Sequence, residues 1–171
     1  MTAGVRGVVI GLVVALTASL IGVTVLWLDR DETVAPLSAP PSLTSVENDA
    51  ELAARAAVEQ MTTYDYRTVD DDFTWVEDAG TEQFQTYFED AGADSKRVIE
   101  ALKATATGTV VDSAATAIDA THVKVLLFVD QEISAAKQNG AKLDQPRVTM
   151  QMVLQDGRWL VDEVAVNNLL G

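Results

Sequence analysis

Three kinds of hydrophobic pattern follow one another along the chain. The first is an uncharged run from Val8 to Leu28, the second is a set of helical repeats between residues 48 and 102, and the third is a series of alternating stretches between residues 105 and 166. Apolar residues at every third or fourth position are typical of a helix with one buried face, and apolar residues at every second position are typical of a strand. The sequence therefore predicts an apolar segment, then helices, then strands.

The run from Val8 to Leu28 predicts a transmembrane helix. Thirteen of its 21 residues are Val, Ile or Leu, and none is charged. At about 1.5 Å per residue a helix of this length spans roughly 31 Å, which matches the hydrocarbon core of a bilayer. The alternative is a cleaved signal peptide, whose apolar region is usually only about 7–15 residues long and is followed by small residues. Because this run is longer and charged residues follow it, we expect an uncleaved membrane anchor.

The charges around the anchor predict its orientation. Arg6 precedes the run, and three acidic residues and one arginine follow it closely. Because the positive end of a span stays in the cytoplasm, residues 1–7 are predicted to be a cytoplasmic tail and residues 29–171 to lie outside the cell membrane. Residues 29–47 are rich in proline and serine and predict a linker. Residues 48–171 then form one extracytoplasmic domain.

Three helices are predicted after the linker. The first begins near Asn48, although a second capping-box spacing lies four residues earlier, and it fades near Tyr64. The second is short, covers residues 70–80 and has three aspartates in its first turn, where acids suit the helix dipole. The third has Thr81 as its N-cap and carries apolar residues at helical spacing as far as Leu102.

About four antiparallel strands are predicted next, and residues 137–145 are predicted to be a polar loop. The Asp-Gly pair at 156–157 is a strong signal for a tight hairpin between the last two strands. Helices followed by antiparallel strands indicate an α+β fold with the helices on one face of the sheet. Three helices on a long curved sheet suggest a cone-shaped domain with a pocket inside it. The predicted strands are Thr107–Ala117, His122–Ser134, Arg147–Gln155 and Trp159–Val166.

Charge and composition exclude several classes of protein. The chain has a formal net charge of −14, and leaving out Arg6 gives −15 for residues 29–171. Such an acidic surface argues against binding to nucleic acid, because phosphate contacts need cationic side chains. It equally argues against a polybasic grip on anionic lipid head groups. The chain has no cysteine, which excludes disulfides and Cys-based metal sites.

An ordered set of short stretches resembles the actinobacterial Mce-associated membrane proteins. The resemblance extends over about residues 50–166, and the single N-terminal span is similar as well. Only the order and spacing of the set are specific, since none of the stretches is diagnostic alone. The stretches are Thr63–Phe73, Phe84–Tyr87, Thr107–Val111, Val125–Gln131 and Asp156–Val161.

The resemblance implies a fold and a function. Members of that family are similar to NTF2-like folds and to the outer domain of VirB8-type secretion components. They accompany Mce complexes, which import lipids or sterols across the envelope, as accessory or stabilising subunits. The resemblance therefore implies Mce subunits or their permease as protein partners of this chain.

The residue types needed for catalysis do not converge in the sequence. Tyr64, Asp65 and Tyr66 are the types that an isomerase site uses, but neighbouring residues on a helix diverge by about 100°. His122 is the single histidine and has no cysteine beside it, so a zinc site or a catalytic triad is not expected. We therefore expect no catalytic residue, no cofactor and no metal, and we predict that the chain is not an enzyme.

Two groups of residues are candidates for binding. Aromatic side chains of the helices and the last strand are expected to line the cone pocket: Tyr64, Tyr66, Phe73, Tyr87, Phe88 and Trp159. On the polar face of the sheet, Leu126, Phe128 and Val153 are apolar exceptions that could form a patch for a partner, unless the sheet curls over them.

These observations leave three functions open. The first is a non-catalytic accessory subunit of an Mce-type lipid or sterol importer. The second is a carrier module that binds a lipid in the cone pocket, which requires the pocket to be open and not filled by its own aromatic side chains. The third is a VirB8-like component of a secretion complex, because that architecture is shared.

Overall fold

A computed structural model of the protein describes residues 42–167. The predicted tail at 1–7, the predicted span from Val8 to Leu28 and residues 29–41 of the predicted linker lie outside the described residues. Within residues 42–167, none of the helices combines the length and the apolar character that crossing a membrane requires.

The first helix, α1, covers Leu43–Thr62, and its N-cap is Ser42, whose side chain accepts a hydrogen bond from the Ser45 amide. The predicted start near Asn48 is wrong, because positions 43–47 of the predicted linker are helical. The reason is burial: Val46 lies one turn before Ala50, and both side chains are buried in the core. The apolar stripe therefore begins one turn earlier than the capping patterns indicated.

The predicted second helix is divided into two short pieces, α2 at Val69–Asp72 and α3 at Trp75–Ala79. Asp72, the last residue of α2, contacts the segment before this helix. Its carboxylate turns back to accept hydrogen bonds from the Asp65 amide at 2.7 Å and from the Thr68 hydroxyl at 3.1 Å. Asp72 thus connects this segment to the strand before it by hydrogen bonds, and the acidic residues also begin a helix.

The third predicted helix is confirmed as α4, which covers Glu82–Leu102. The side chain of Thr81 caps it by accepting a hydrogen bond from the Phe84 amide at 3.2 Å. Gly92 lies in the middle of this helix without ending it. The C-terminal cap is Lys103, which takes the left-handed conformation with φ of 49°.

Within residues 42–167, six strands form one antiparallel sheet, two more than predicted. The four long strands occur where the alternating patterns predicted them, but β1 and β4 have only two and three residues and no hydrophobic pattern of their own. They exist because they pair with the long strands β2 and β3. The strands are β1 Tyr64–Asp65, β2 Thr105–Ala117, β3 His122–Ser134, β4 Lys142–Asp144, β5 Arg147–Gln155 and β6 Arg158–Asn167.

The order of the strands is β1-β2-β3-β5-β6, and β4 pairs with the end of β3 beyond β5. The register shifts between Val110 and Asp112 in β2 and between Gln151 and Met152 along the pairing of β5 with β6. Such bulges bend a strand and increase its twist, which lets the sheet curve around the helices. The predicted α+β fold with helices packed on a curved antiparallel sheet is therefore confirmed.

Every second residue of the central strands points into the core. The alternate apolar residues of β3 from Val123 to Ile133 are buried, and so are Val148, Met150 and Met152 of β5. These side chains pack on the small and branched residues of α1 and on the aromatic residues of α3 and α4. A second, smaller cluster around Ile99 and Ile133 joins the end of α4 to β1 and β2.

Side chains of α1 cover the free edge of β2. Beyond its short pairing with β1, β2 has no strand neighbour on this side among residues 42–167. The side chains of α1 that contact this edge are spaced four residues apart or multiples of four. Glu47 accepts from the Ala117 amide at 2.9 Å, and Glu59 accepts from the Val110 amide at 3.2 Å. Between them, Arg55 donates to the Ser113 hydroxyl at 2.7 Å.

The end of α1 approaches β2 most closely at Gly108. A methyl group there would lie 1.9 Å from the Thr62 hydroxyl oxygen and 2.6 Å from the Thr62 Cβ, so only glycine fits. The fully buried Gln131 of β3 stabilises the same contact between α1 and the sheet, because its side-chain amide donates to the Thr62 carbonyl at 2.8 Å.

We expect Gly108→Ala to destabilise the fold by roughly 1–3 kcal/mol or more, because α1 must move away from β2. Urea unfolding of the full chain in detergent, followed by circular dichroism, measures this loss. Thr109→Ala is the matched control, because its side chain is exposed on the same strand. Equal unfolding midpoints for the two variants would contradict the close contact.

We expect Gly92→Ala to have the opposite effect. Its new methyl group would lie 3.4 Å from the Phe88 ring, which is ordinary contact, and a helix gains roughly 0.5–1 kcal/mol when alanine replaces glycine. The same unfolding experiment should show this gain. Ala93→Gly, at an exposed position one residue later, should lose a similar amount. A destabilised Gly92→Ala variant would show that the Phe88 ring cannot give way.

Candidate functional site

A cavity of about 80 Å³ lies inside the curved sheet beneath α4. One wall is the buried face of α4 from Phe84 to Ile99, and the opposite wall is formed by Met61 of α1 with Val164 and Val166 of β6. Residues Ala91, Gly92 and Ser95 are small, which leaves the space open along the helix. The alternation of β6 and the helical spacing of α4 therefore bring their apolar faces together around one space.

Aromatic rings form one side of this cavity. Phe88 is at the centre of the group, with ring centroids 5.5 Å from Phe73, 5.5 Å from Trp75 and 5.8 Å from Phe84. The rings are tilted or edge-on to one another, which is the arrangement that aromatic pairs prefer. Phe73, Phe84 and Phe88 therefore form one wall of the cavity.

The ring of Tyr64 lines this cavity, and its hydroxyl is enclosed in the packed protein beside it. The hydroxyl of Tyr64 is buried and makes no hydrogen bond within residues 42–167. Burial raises the pKa of Tyr64 to about 12, and the negative charge of Asp144 adds to the shift. The hydroxyl therefore stays protonated and can donate a hydrogen bond at any physiological pH.

The cavity reaches the surface beside Tyr87. This residue lines the cavity, yet 47% of its surface is exposed. Tyr87 was predicted as a pocket residue from its helical spacing. It lies at the rim because its side of α4 is between the core and solvent.

Four of the six predicted pocket residues come together around the cavity: Tyr64, Phe73, Tyr87 and Phe88. Two do not line it. Tyr66 lies after β1, packs at the margin of the smaller core cluster and carries the Arg67 guanidinium 5.5 Å from its ring centroid. Trp159 is paired with Leu154 at the start of β6 and packs against the main core.

Several residues of the cavity were not predicted from the sequence. Phe84, Ala91, Ser95 and Ile99 share the helical stripe that predicted α4, so the stripe itself was a signal for them. The spacing could not show that this part of the stripe faces a space instead of side chains. Met61, Val164 and Val166 come from distant parts of the chain, and only the curvature of the sheet brings them here.

The outer face of the sheet carries the predicted partner patch in two parts. Leu126 and Phe128 lie two residues apart on β3, both half-buried, and their cross-strand neighbours on β5 are Thr149 and Arg147. The Arg147 guanidinium lies 5.8 Å from the centre of the Phe128 ring. No helix of residues 42–167 packs on this face, so both side chains remain accessible.

Val153 does not belong to the same patch. It pairs with His122 on one side and with Leu160 on the other. The polar pair Lys124 and Gln151 lies between this position and Leu126. The register thus separates Val153 from Leu126 and Phe128, which were predicted to share one surface with it.

Asp65 and His122, two of the residues considered for catalysis, are held by local polar contacts. Asp65 is bound by the Arg67 guanidinium, whose hydrogen bonds lower the Asp65 pKa to about 2. Tyr64 and Asp65 lie on a strand and not on a helix, but alternation along a strand still points them to opposite sides. His122 is exposed and lies 3.0 Å from the Asp119 carboxylate. Among residues 42–167 there is no group of three acidic or histidine side chains placed to hold a metal.

A groove of about 270 Å³ lies on the outer side of α4, between it and α2–α3. Three carboxylates border it, those of Asp70, Glu77 and Glu89, together with Lys96, whose ammonium lies 2.9 Å from Asp70. The groove concentrates part of the negative charge of the protein on its helical side.

Three solved structures share this fold. An IcmL-like type IV secretion system protein from Legionella pneumophila aligns with a TM-score of 0.61 and 9% identity, over 78% of this chain and 97% of the other. CagV, a VirB8 homolog from the type IV secretion system of Helicobacter pylori, aligns with a TM-score of 0.55 and 14% identity, over 70% and 99%. The periplasmic domain of DotI aligns with a TM-score of 0.54 and 16% identity, over 74% and 96%.

Sequence comparison identifies the family more directly. No curated protein matches the chain. A family model described as "Uncharacterized protein Rv1363c/MT1408-like" matches residues 7–162, which include both the apolar run and most of the domain. The α+β domain thus has the fold of VirB8-like secretion components, and the chain belongs to the Rv1363c/MT1408-like family.

Proposed function

We propose that this protein is a membrane-anchored, non-catalytic component of a multi-subunit complex in the cell envelope, of the VirB8 kind. One observation carries the proposal. The described domain has the same fold as three type IV secretion components and covers 96–99% of each of those chains. In the role that we propose, the domain holds other subunits in place, so its surfaces matter more than a reaction centre.

The anchor supports the same proposal. The family match begins at residue 7, so the apolar run and the domain are parts of one shared arrangement. The DotI structure is that of a periplasmic domain, which is the location we propose for residues 42–167 of this chain. A span with its N-terminus in the cytoplasm would keep the domain at the outer face of the cell membrane.

The outer face of the sheet is the docking surface that we propose for another subunit. Apolar side chains on an accessible sheet face lose contact with water when a partner covers them, which favours association. Leu126 and Phe128 lie next to each other there, and Arg147 beside the Phe128 ring can bind a carboxylate of the partner. An aromatic ring next to an arginine is a typical centre of a protein interface.

Two complexes are candidates for the assembly. The fold of the solved structures favours a secretion-type complex, and we place this candidate first. The motif set from Thr63 to Val161 favours an Mce-type lipid or sterol importer, in which the chain would be an accessory subunit beside the permease. Both candidates require the anchor and a docking surface, and they differ in the identity of the neighbouring subunits.

The test is cross-linking in the native membrane, followed by affinity purification of the full-length chain and mass spectrometry. We expect Leu126→Glu to reduce the recovery of the neighbouring subunit about tenfold, because a buried carboxylate costs an interface more than about 1.4 kcal/mol. Thr107→Glu is the control, since it adds the same charge at an exposed position of β2, where Thr107 pairs with Glu132, six residues along β3 from Leu126.

The outcomes separate the candidates. Secretion subunits lost with Leu126→Glu but retained with Thr107→Glu would support the VirB8-like role and the docking surface. Mce subunits or their permease would support the importer. A chain that is recovered without any subunit of an envelope complex, in both the unchanged and the control form, would overturn the proposal.

A further inference from the structure

We propose that the edge of β6 from Glu163 to Asn167 pairs with the same edge of a second copy of this chain, antiparallel and centred on Ala165. The two sheets then join into one continuous sheet. This inference goes beyond the docking role, because the edge of the sheet is a different surface from the outer face that carries Leu126 and Phe128. Each can be tested without the other.

The two edges of the sheet differ in how they are covered. Side chains of α1 bind the backbone of β2 along one edge. At the other edge β6 is the last strand, and within residues 42–167 only the loop at Gly80 and Thr81 pairs with it, at Val161. Open edges pair readily with other chains, so proteins usually protect them with prolines, charges or covering elements. The stretch Glu163–Asn167 has no proline and a single charged residue.

The pairing of β5 shows which backbone groups of this edge lack a partner. The Leu154 amide donates to the Thr121 carbonyl just before β3, so Leu154 directs its backbone groups away from β6. Successive residues of an antiparallel strand direct these groups to opposite sides, so every second residue of β5 from Leu154 bonds towards β3. Their partners on β6 include Val164 and Val166. The N–H and C=O of these two valines therefore point outwards, and no strand of residues 42–167 pairs with them.

A second copy satisfies these two donors and two acceptors together. A two-fold axis at Ala165 places Val164 of each copy opposite Val166 of the other. Both valines direct their backbone groups outwards, so each of the two pairs exchanges two hydrogen bonds. An axis at Val164 instead would set Val166 against Asp162, where the register of β6 shifts. The hydrogen-bond pattern of this edge is therefore complementary to itself in the register centred on Ala165.

The side chains agree with this register. On the inner face it sets valine beside valine, which removes apolar surface from water. On the outer face it sets the exposed Glu163 opposite the exposed Asn167 of the second copy, and the amide can donate to the carboxylate. Like charges directly opposite each other destabilise a strand pair, and two chains of net charge −14 meet here without any such pair.

The helical layer adds apolar surface beside this edge. Tyr87 of α4 lines the same cavity as Val164 and Val166, and 47% of its surface is exposed. When two sheets join edge to edge about a two-fold axis perpendicular to the sheet, their helices lie on the same side. The exposed Tyr87 ring is then on the side of the domain that faces the second copy.

The experiment is disulfide cross-linking of the full chain in its native membrane, which has no background because the chain has no cysteine. In the proposed register the two copies of Ala165 form a non-hydrogen-bonded pair, with Cα atoms about 4.5 Å apart, which a disulfide can bridge. Thr149→Cys is the matched control. Thr149 pairs with Ala165 and is equally half-buried, but its two copies would lie three strand spacings, roughly 14 Å, apart. We expect Ala165→Cys to give at least about tenfold more disulfide dimer than this control.

A mixed pair of variants tests the register. Chains with Glu163→Cys and chains with Asn167→Cys, carrying different tags, are expressed together, and we expect disulfides between the two kinds of chain. Either variant expressed alone should give at least about tenfold less dimer, because identical positions would lie four residues, roughly 14 Å, apart along the paired strands.

A proline tests the backbone hydrogen bonds. Val164→Pro removes an N–H that no strand of residues 42–167 uses, and proline is tolerated where the N–H of an edge strand faces outwards. In the chain with Ala165→Cys it should lower the yield of disulfide dimer about tenfold, because two of the four hydrogen bonds between the copies are lost. The circular dichroism of the purified chain in detergent should stay unchanged.

Three results would overturn the proposal. The first is an equal yield of dimer from Ala165→Cys and Thr149→Cys, which would reflect random collision in the membrane. The second is a mixed pair that gives no more dimer than Glu163→Cys alone, which would exclude the register centred on Ala165. The third is a disulfide from Ala165→Cys to a different protein in place of a second copy, which would show that a strand of another subunit occupies this edge.

Discussion

The close contact between the end of α1 and β2 determines the arrangement of this domain. Thr62 lies against Gly108 at a distance that no side chain would allow, and the buried Gln131 binds the Thr62 carbonyl. This contact fixes the helix under β2 and β3, so its small apolar residues meet the buried face of the sheet. It also aligns Glu47 and Glu59 with the backbone amides of the β2 edge, which would otherwise be free to pair with another strand.

The position of α1 has two consequences for function. The helix crosses beneath the sheet, and the cavity remains between Met61 near its end, β6 and α4. The opposite face of the sheet carries no helix of the described residues, which leaves Leu126 and Phe128 accessible to a partner. A single sheet thus separates an internal apolar cavity from an outer surface suited to a protein.

Much of the fold could be predicted from local patterns. The strand His122–Ser134 has the bounds that its alternation predicted, and the hairpin at Asp156 follows from a residue pair that takes positive φ with little strain. The hydrophobic patterns did not predict elements that form only by pairing with a neighbouring strand. The two-residue strand at Tyr64 and the three-residue strand at Lys142 have no period of their own, and they form because a long strand beside them has unpaired backbone groups.

The sequence by itself determined the order of the elements, the inward face of each strand and helix, the acidic charge and the aromatic residues from which a pocket could be built. Tertiary structure alone decided that Tyr64 meets the cavity while Tyr66 and Trp159 do not, and that Val153 lies apart from Leu126. The physical reason is that period and composition describe which side of an element is apolar. Register, bulges and the closest contact between two elements decide which of those sides meet, and they depend on residues far apart in the chain.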